Sequence, residues 1–154
     1  MRGVAIYFRC DCKSVRFPVR KFENLVRSVC KRFGIANATV DIAVVGNNLI
    51  RKLNRQFLNR KTATDVIAFD LTDHGEKRKS FQLVVNAERA KSEAAKRNHS
   101  PQAELALYIT HGLLHNLGFD DYSTAQARKM HRLEDEFLQQ QGFGKVYEIE
   151  KEDF

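Results

Sequence analysis

Four segments of the chain alternate apolar and polar residues or are rich in β-branched and aromatic residues, which is the pattern of a β-strand. These segments are Val4–Arg9, Thr39–Val45, Thr64–Asp70 and Phe81–Val85. The segment between the last two, residues 72–79, is charged and contains turn-forming residues, so it predicts an exposed connection. The pattern therefore predicts a small sheet of four strands.

Five further segments repeat their apolar residues at helical spacing. Each begins at or after a residue suited to a helix start, and these residues are Pro18, Asn47, Asn86, Ser100 and Ser123. The fourth of these helices is apolar on most sides, which predicts a helix buried at the centre of the fold. We therefore predict the α+β class. Residues 1–154 would form a single domain in which helices surround a small mixed four-stranded sheet and the central helix.

Composition indicates a globular protein in a reducing compartment. The 154 residues are 43% apolar and include eleven phenylalanines, enough for a core without disulfides. The cysteine count is odd, at three, and the N-terminal segment lacks the pattern of a secretory signal, so we expect reduced thiols and a cytoplasmic location. No stretch has the apolar length that a bilayer requires, so no membrane partner is expected.

The charge balance favours a polyanionic partner. Lysine and arginine number 26 against 19 aspartates and glutamates, which gives a net charge of +7 and a pI near 9.5. This excess suits RNA. Many basic domains have no nucleic-acid partner, however, so charge alone leaves both interpretations open.

Two histidines four residues apart, His111 and His115, lie within the buried helix. This spacing places both rings on one helical face, where they can chelate a metal ion. Gly118 follows the apolar run and predicts the end of the helix, after which the chain turns back and brings Asp120 and Asp121 towards the imidazoles. Three donors on one divalent ion leave a coordination position open, as in catalytic zinc sites.

The alternative interpretation of these histidines is that they are hydrogen-bonded core residues, which is the commoner role of a single histidine in an apolar helix. Two histidines at this spacing, followed by a glycine and two carboxylates, favour metal binding instead. Peptidase chemistry is disfavoured, because Gly112 stands where the H-E-x-x-H motif has its general-base glutamate.

The segment from His111 to Asp121 resembles the signature of the YbeY family of metal-dependent endoribonucleases, H-G-x-L-H-x-x-G-[YF]-x-H. Here it reads H-G-L-L-H-N-L-G-F-D-D, with Asp121 in the place of the third histidine. A second family motif, T-D-V-L-S-F, is matched by T-D-V-I-A-F at residues 64–69, after the family's L-N pair at Leu53-Asn54. The resemblance extends over most of the chain, in element order and in length.

This resemblance implies a metal-dependent endoribonuclease that acts on single-stranded RNA in ribosomal RNA maturation and ribosome biogenesis. The implied partners are ribosomal RNA, such as a small-subunit precursor, and the ribosome or its proteins. The implied ligands of one Zn²⁺ ion per chain are His111, His115 and, by register with the motif, Asp121; a carboxylate ligand also makes Mn²⁺ or Ni²⁺ acceptable. Arg55 and Arg60, which precede the third strand, are our candidates for neutralising charge on the phosphoryl group, and the alternative is that both are ordinary surface arginines.

Two alternative functions stay open, and three departures from the family pattern bear on the first of them. Leu58 stands where the family usually has an arginine, residues 80–82 read S-F-Q where a glycine–aspartate pair is usual, and Asp121 replaces histidine. They motivate a catalytically weak ribosome-assembly or RNA-binding factor as the first alternative. The second is a metal-dependent hydrolase of another substrate, such as a small phosphodiester or an amide.

Overall fold

The computed structural model describes residues 3–13, 15–58 and 64–144, and these residues form four strands and five helices. In chain order the elements are β1 (Val4–Cys10), α1 (Val19–Arg32), β2 (Ala38–Val45), α2 (Asn47–Phe57), β3 (Val66–Asp70), β4 (Lys79–Asn86), α3 (Ala87–Arg97), α4 (Pro101–Asn116) and α5 (Thr124–Gln140). Every element that the hydrophobic pattern predicts is present, with small shifts at the ends. The α+β prediction is confirmed.

The four strands form one mixed sheet in the order β1-β2-β4-β3. β1 pairs with β2, and β2 with β4, in parallel, whereas β3 pairs with β4 in the antiparallel direction. Parallel neighbours require a crossover connection, and α1 supplies the one between β1 and β2. The predicted mixed sheet is therefore confirmed, and β3 lies at one of its edges.

Helix α4 lies at the centre of the main core. It contacts α1, α3, α5, β3 and β4, so it is surrounded on nearly all sides. Its residues from Ala103 to Thr110 are all buried, as expected of a helix without a polar face. Within the described residues, no helix combines the length and the apolar character that crossing a membrane would require.

Helix α2 packs on the face of the sheet opposite to α4. The start of α2 differs from the prediction. Asn47 is the first helical residue rather than the N-cap, which is Gly46. The backbone N–H of Asn47 donates to the Glu88 carboxylate of α3 at 3.1 Å, so a distant side chain satisfies the helix end. A Cβ atom on residue 46 would overlap this carboxylate, so a larger residue there would have to displace the end of the Glu88 side chain. The predicted caps Asn86, Ser100 and Ser123 are confirmed.

Candidate metal centre

His111 and His115 lie in the last turns of α4, and their rings meet on one face of the helix. The two Nε2 atoms are 3.1 Å apart, and the ring centroids are 4.6 Å apart. Both side chains are half-buried, so the pair is reachable from solvent. The spacing of four residues therefore brings the two imidazoles together, as the sequence predicts.

The turn after α4 adds a carboxylate to the pair. Gly118 adopts a φ of 97°, a conformation that costs glycine no Cβ clash, and its N–H donates to the His115 carbonyl at 3.0 Å. The chain reverses there and places Asp121 Oδ2 at 3.7 Å from Nε2 of both His111 and His115. Asp120 is exposed and is not a member of the cluster of possible ligands among the described residues.

These three donors fit a divalent cation. Their ligand atoms all lie within 4.8 Å of one another. In a tetrahedral site with bonds of about 2.0–2.2 Å, two donor atoms stand roughly 3.3–3.6 Å apart, close to the separations of 3.1 and 3.7 Å found here. Two imidazole nitrogens and a carboxylate oxygen that face one another also present more lone pairs than protons. His111, His115 and Asp121 could therefore hold a metal ion.

A buried carboxylate on α5 holds the ring of His111 from behind. Glu134 Oε2 lies 2.9 Å from His111 Nδ1, and the Glu134 side chain is fully buried. Because the carboxylate accepts a hydrogen bond, it fixes the proton on Nδ1 and leaves the Nε2 lone pair facing His115 and Asp121. Sequence reasoning missed this residue. The available signal was its position on the buried stripe of α5, between Met130 and Phe137.

The electrostatics of this pair follow from burial and charge. Burial disfavours the charged imidazole, but the hydrogen bond and the negative charge of Glu134 outweigh it, so the pKa of His111 is raised. Asp65 and Asp121 add to the same effect. Burial also raises the pKa of Glu134, and the contact with His111 offsets part of that rise. The site thus concentrates negative potential around two imidazoles, which suits a cation.

Helix α4 approaches the sheet closely at Gly112, the residue directly after His111. A Cβ atom there would lie 2.8 Å from Leu83 Cδ2 and 3.0 Å from Val66 Cγ2. We expect Gly112→Ala to lower the free energy of unfolding by about 1–2 kcal/mol, because overpacking costs about 1–3 kcal/mol and helix propensity returns up to about 1. Urea unfolding of the metal-free protein measures this change. An equal or higher midpoint would contradict the close packing.

The structure describes only one of the two candidate arginines. Arg55 is exposed on α2, and no hydrogen bond or ion pair joins it to the cluster within the described part of the chain. Arg60 falls in residues 59–63, outside the described residues. Leu58, which occupies the usual arginine position of the family pattern, is exposed at the C-terminal end of α2. The described geometry therefore brings together His111, His115 and Asp121.

The family model and the similar proteins that match this chain agree on one family. Residues 8–142 match the family model described as endoribonuclease YbeY. The endoribonuclease YbeY of Anaeromyxobacter sp. (strain Fw109-5) is 34% identical over 128 residues, which cover 82% of this chain and 67% of that protein. The Bacillus subtilis (strain 168) endoribonuclease YbeY is 28% identical over 135 residues, covering 80% of this chain and 86% of that protein.

A solved structure shares the fold. The solution structure of a protein from Thermotoga maritima matches with a TM-score of 0.58 and 22% identity, and the match covers 89% of this chain and 90% of that one. The matched residues of the family model include β2 to β4, the histidine helix, the turn that carries Asp121, and Glu134 on α5. The chain therefore belongs to the YbeY family of endoribonucleases.

Proposed function

We propose that this protein is a metal-dependent endoribonuclease that hydrolyses phosphodiester bonds of single-stranded RNA during ribosomal RNA maturation in the cytoplasm, with residues 1–154 as one domain. The supporting observation is the convergence of His111 Nε2, His115 Nε2 and Asp121 Oδ2, at 3.1 and 3.7 Å, in a half-exposed position. Membership of a family of endoribonucleases selects RNA among the substrates that such a site could serve. It also weighs against the two alternative functions.

The residues of the site have separable roles in this reaction. His111, His115 and Asp121 would hold the ion, with Zn²⁺ as the first candidate and Mn²⁺ or Ni²⁺ as others. Such an ion supplies Lewis acidity and lowers the pKa of water towards neutrality. Glu134 keeps the Nδ1 proton of His111 in place, so that its Nε2 acts as a donor atom. The negative charge of Asp121 would make the bound ion a weaker Lewis acid than three neutral imidazole ligands would.

The proposed substrate agrees with the charge of the surface. The chain carries a net charge of +7, which attracts a polyanion. Exposed cations on α2 and at the start of α5 contribute to it, among them Arg51, Lys52, Arg55 and Lys129. We propose Arg55 and Arg60 as the side chains that neutralise charge on the phosphoryl oxygens. A small-subunit ribosomal RNA precursor and ribosomal proteins are the proposed partners.

Cleavage assays on matched RNA substrates test this function. We expect purified protein to cut an end-labelled single-stranded RNA and to spare the same strand in a perfect duplex. Dialysis against a chelator should abolish cleavage, and Zn²⁺, Mn²⁺ or Ni²⁺ should restore it. RNA binding without cleavage under every metal would support the assembly-factor alternative. Cleavage that survives chelation would contradict the metal dependence.

Substitutions at Asp121 test the third ligand. We expect Asp121→Ala to lower metal affinity by about tenfold, because two imidazoles remain and water can replace an exposed carboxylate. Asp121→His should retain or tighten binding, since imidazole is a good ligand for zinc. Asp120→Ala is the matched control, because that carboxylate is adjacent and exposed. Equal metal stoichiometry and affinity in Asp121→Ala and Asp120→Ala would refute the assignment.

A further inference from the structure

One aromatic side chain beside the candidate metal centre is almost entirely exposed. Tyr122 follows Asp121 directly, and 89% of its surface is accessible. Within the described residues its ring has no aromatic, cation–π or hydrogen-bond partner. A buried tyrosine ring stabilises a fold through the area that it removes from water, so the exposed ring of Tyr122 contributes little to stability. Its position next to a proposed ligand therefore calls for a functional explanation.

The backbone on both sides of Tyr122 is firmly held. Phe119 packs edge-on against Phe33 of the core, with ring centroids 5.2 Å apart, and anchors the start of the turn. Ser123 forms a capping box with Gln126: the Ser123 N–H donates to the Gln126 side chain, and the Gln126 N–H donates to Ser123 Oγ, both at 3.1 Å. The ring of Tyr122 is thus presented by a fixed turn rather than by a loose loop.

One cation lies beside this turn, and the turn is open to solvent. Lys129, on the second turn of α5, lies with its Nζ 5.6 Å from the centre of the Phe119 ring, so a positive charge stands over the same turn. Asp121 itself is 40% exposed, so solvent and substrate reach its carboxylate. A single-stranded RNA with a phosphate at Lys129 would therefore meet the exposed ring of Tyr122 next to the proposed ligands.

We propose that Tyr122 stacks on a nucleobase of single-stranded RNA adjacent to the phosphate that is cut, and so positions the substrate. This inference rests on the proposed nuclease function. Proteins that bind single strands combine cations for the backbone with aromatic rings for the bases, and this stacking tolerates any base. Bases within a duplex are already stacked and cannot meet the ring, so Tyr122 also contributes to the preference for single strands.

The absence of tryptophan from the whole sequence allows a direct test of stacking. Tyr122→Trp introduces a single tryptophan, whose fluorescence we expect to be quenched by a short single-stranded RNA in the presence of chelator, where no cleavage occurs. Tyr7→Trp is the matched control, because Tyr7 is also exposed, at 54%, but lies on β1, at the edge of the sheet opposite to β3, whereas α4 contacts β3 and β4. A ribose-phosphate strand without bases should leave both signals unchanged.

Kinetics provide the second readout. We expect Tyr122→Ala to raise the KM for single-stranded RNA by roughly 5- to 150-fold, which is the fold-change that corresponds to the loss of one aromatic–base stacking contact. Tyr122→Phe should keep the KM near the wild-type value. Metal content should be unchanged in both variants. An unchanged KM in Tyr122→Ala would overturn the proposal, and so would equal quenching by the strand without bases.

The failure of this inference is distinguishable from the failure of the nuclease function. Base-dependent quenching of Tyr122→Trp without any cleavage by the wild type would overturn the nuclease and leave the stacking contact standing. Metal-dependent cleavage together with an unresponsive Tyr122→Trp would overturn the stacking contact alone. Quenching of Tyr7→Trp to the same degree would also overturn it, because the binding would then not be local to the metal centre.

Discussion

Substitution of alanine for His115 is expected to lower metal affinity by more than about 100-fold and to abolish RNA cleavage. Nε2 of this ring stands 3.1 Å from that of His111 and 3.7 Å from the Asp121 carboxylate, so its loss removes one of three donors. Loss of a hydrogen-bonding partner of a metal-binding histidine costs about 10–100-fold. Loss of the half-buried His115 donor should cost more than that, and more than loss of the exposed Asp121 carboxylate, whose place water can take. Competition with a chromophoric chelator measures the affinity, and the single-strand assay measures the cleavage.

His74→Ala is the matched control for this experiment. His74 is exposed in the connection between β3 and β4, so its removal changes the histidine count but not the cluster. We expect wild-type metal affinity and cleavage in that variant. Thermal melting of the metal-free proteins should show similar stability for both variants, since the His115 side chain is only half-buried. Normal metal binding by His115→Ala would remove the basis of the proposed centre.

The parts of the site that are local in sequence were predictable from it. His111 and His115 share a face because a helix repeats every 3.6 residues, and the apolar residues around them show that the segment is helical. Gly118 signals the reversal that returns the chain to these rings. Which of Asp120 and Asp121 turns inward depends on the geometry of the turn. The spacing left that choice open, and register with the family motif favoured Asp121.

The parts that depend on distant contacts were not predictable. Glu134 is 23 residues from His111, and its position on the buried stripe of α5 could indicate burial but not its partner. It is buried because it is paired, and the pairing exists only once α5 packs on α4. The start of α2 has the same character, since Glu88 of α3 satisfies the N–H of Asn47. Both hydrogen bonds join elements that are distant in sequence, and no local sequence pattern predicts how those elements pack.

Glu134→Leu is expected to weaken metal binding by about 10–100-fold while leaving the fold intact. The leucine removes the acceptor that holds the Nδ1 proton of His111 at 2.9 Å, so the ring can rotate and change tautomer. Removing one partner of a buried ion pair destabilises a fold when a buried charge remains, but the His111 ring can become neutral and its side chain is 21% exposed, so we expect the fold to stay intact. Chelator competition measures the affinity, and nitrogen-15 chemical shifts of His111 report the tautomer.

Two further variants separate orientation from charge. Glu134→Gln keeps an oxygen that can accept from Nδ1, so we expect it to retain the tautomer and to lose less than about tenfold in affinity. Glu136→Gln removes an exposed carboxylate two residues away, whose partner is Arg32 at 3.1 Å, and should change neither quantity. Equal losses in Glu134→Gln and Glu134→Leu would show that the negative charge matters rather than the hydrogen bond. Unchanged affinity in Glu134→Leu would contradict any role of Glu134 in holding His111, and the orientation of that ring would then rest on the packing of α4 alone.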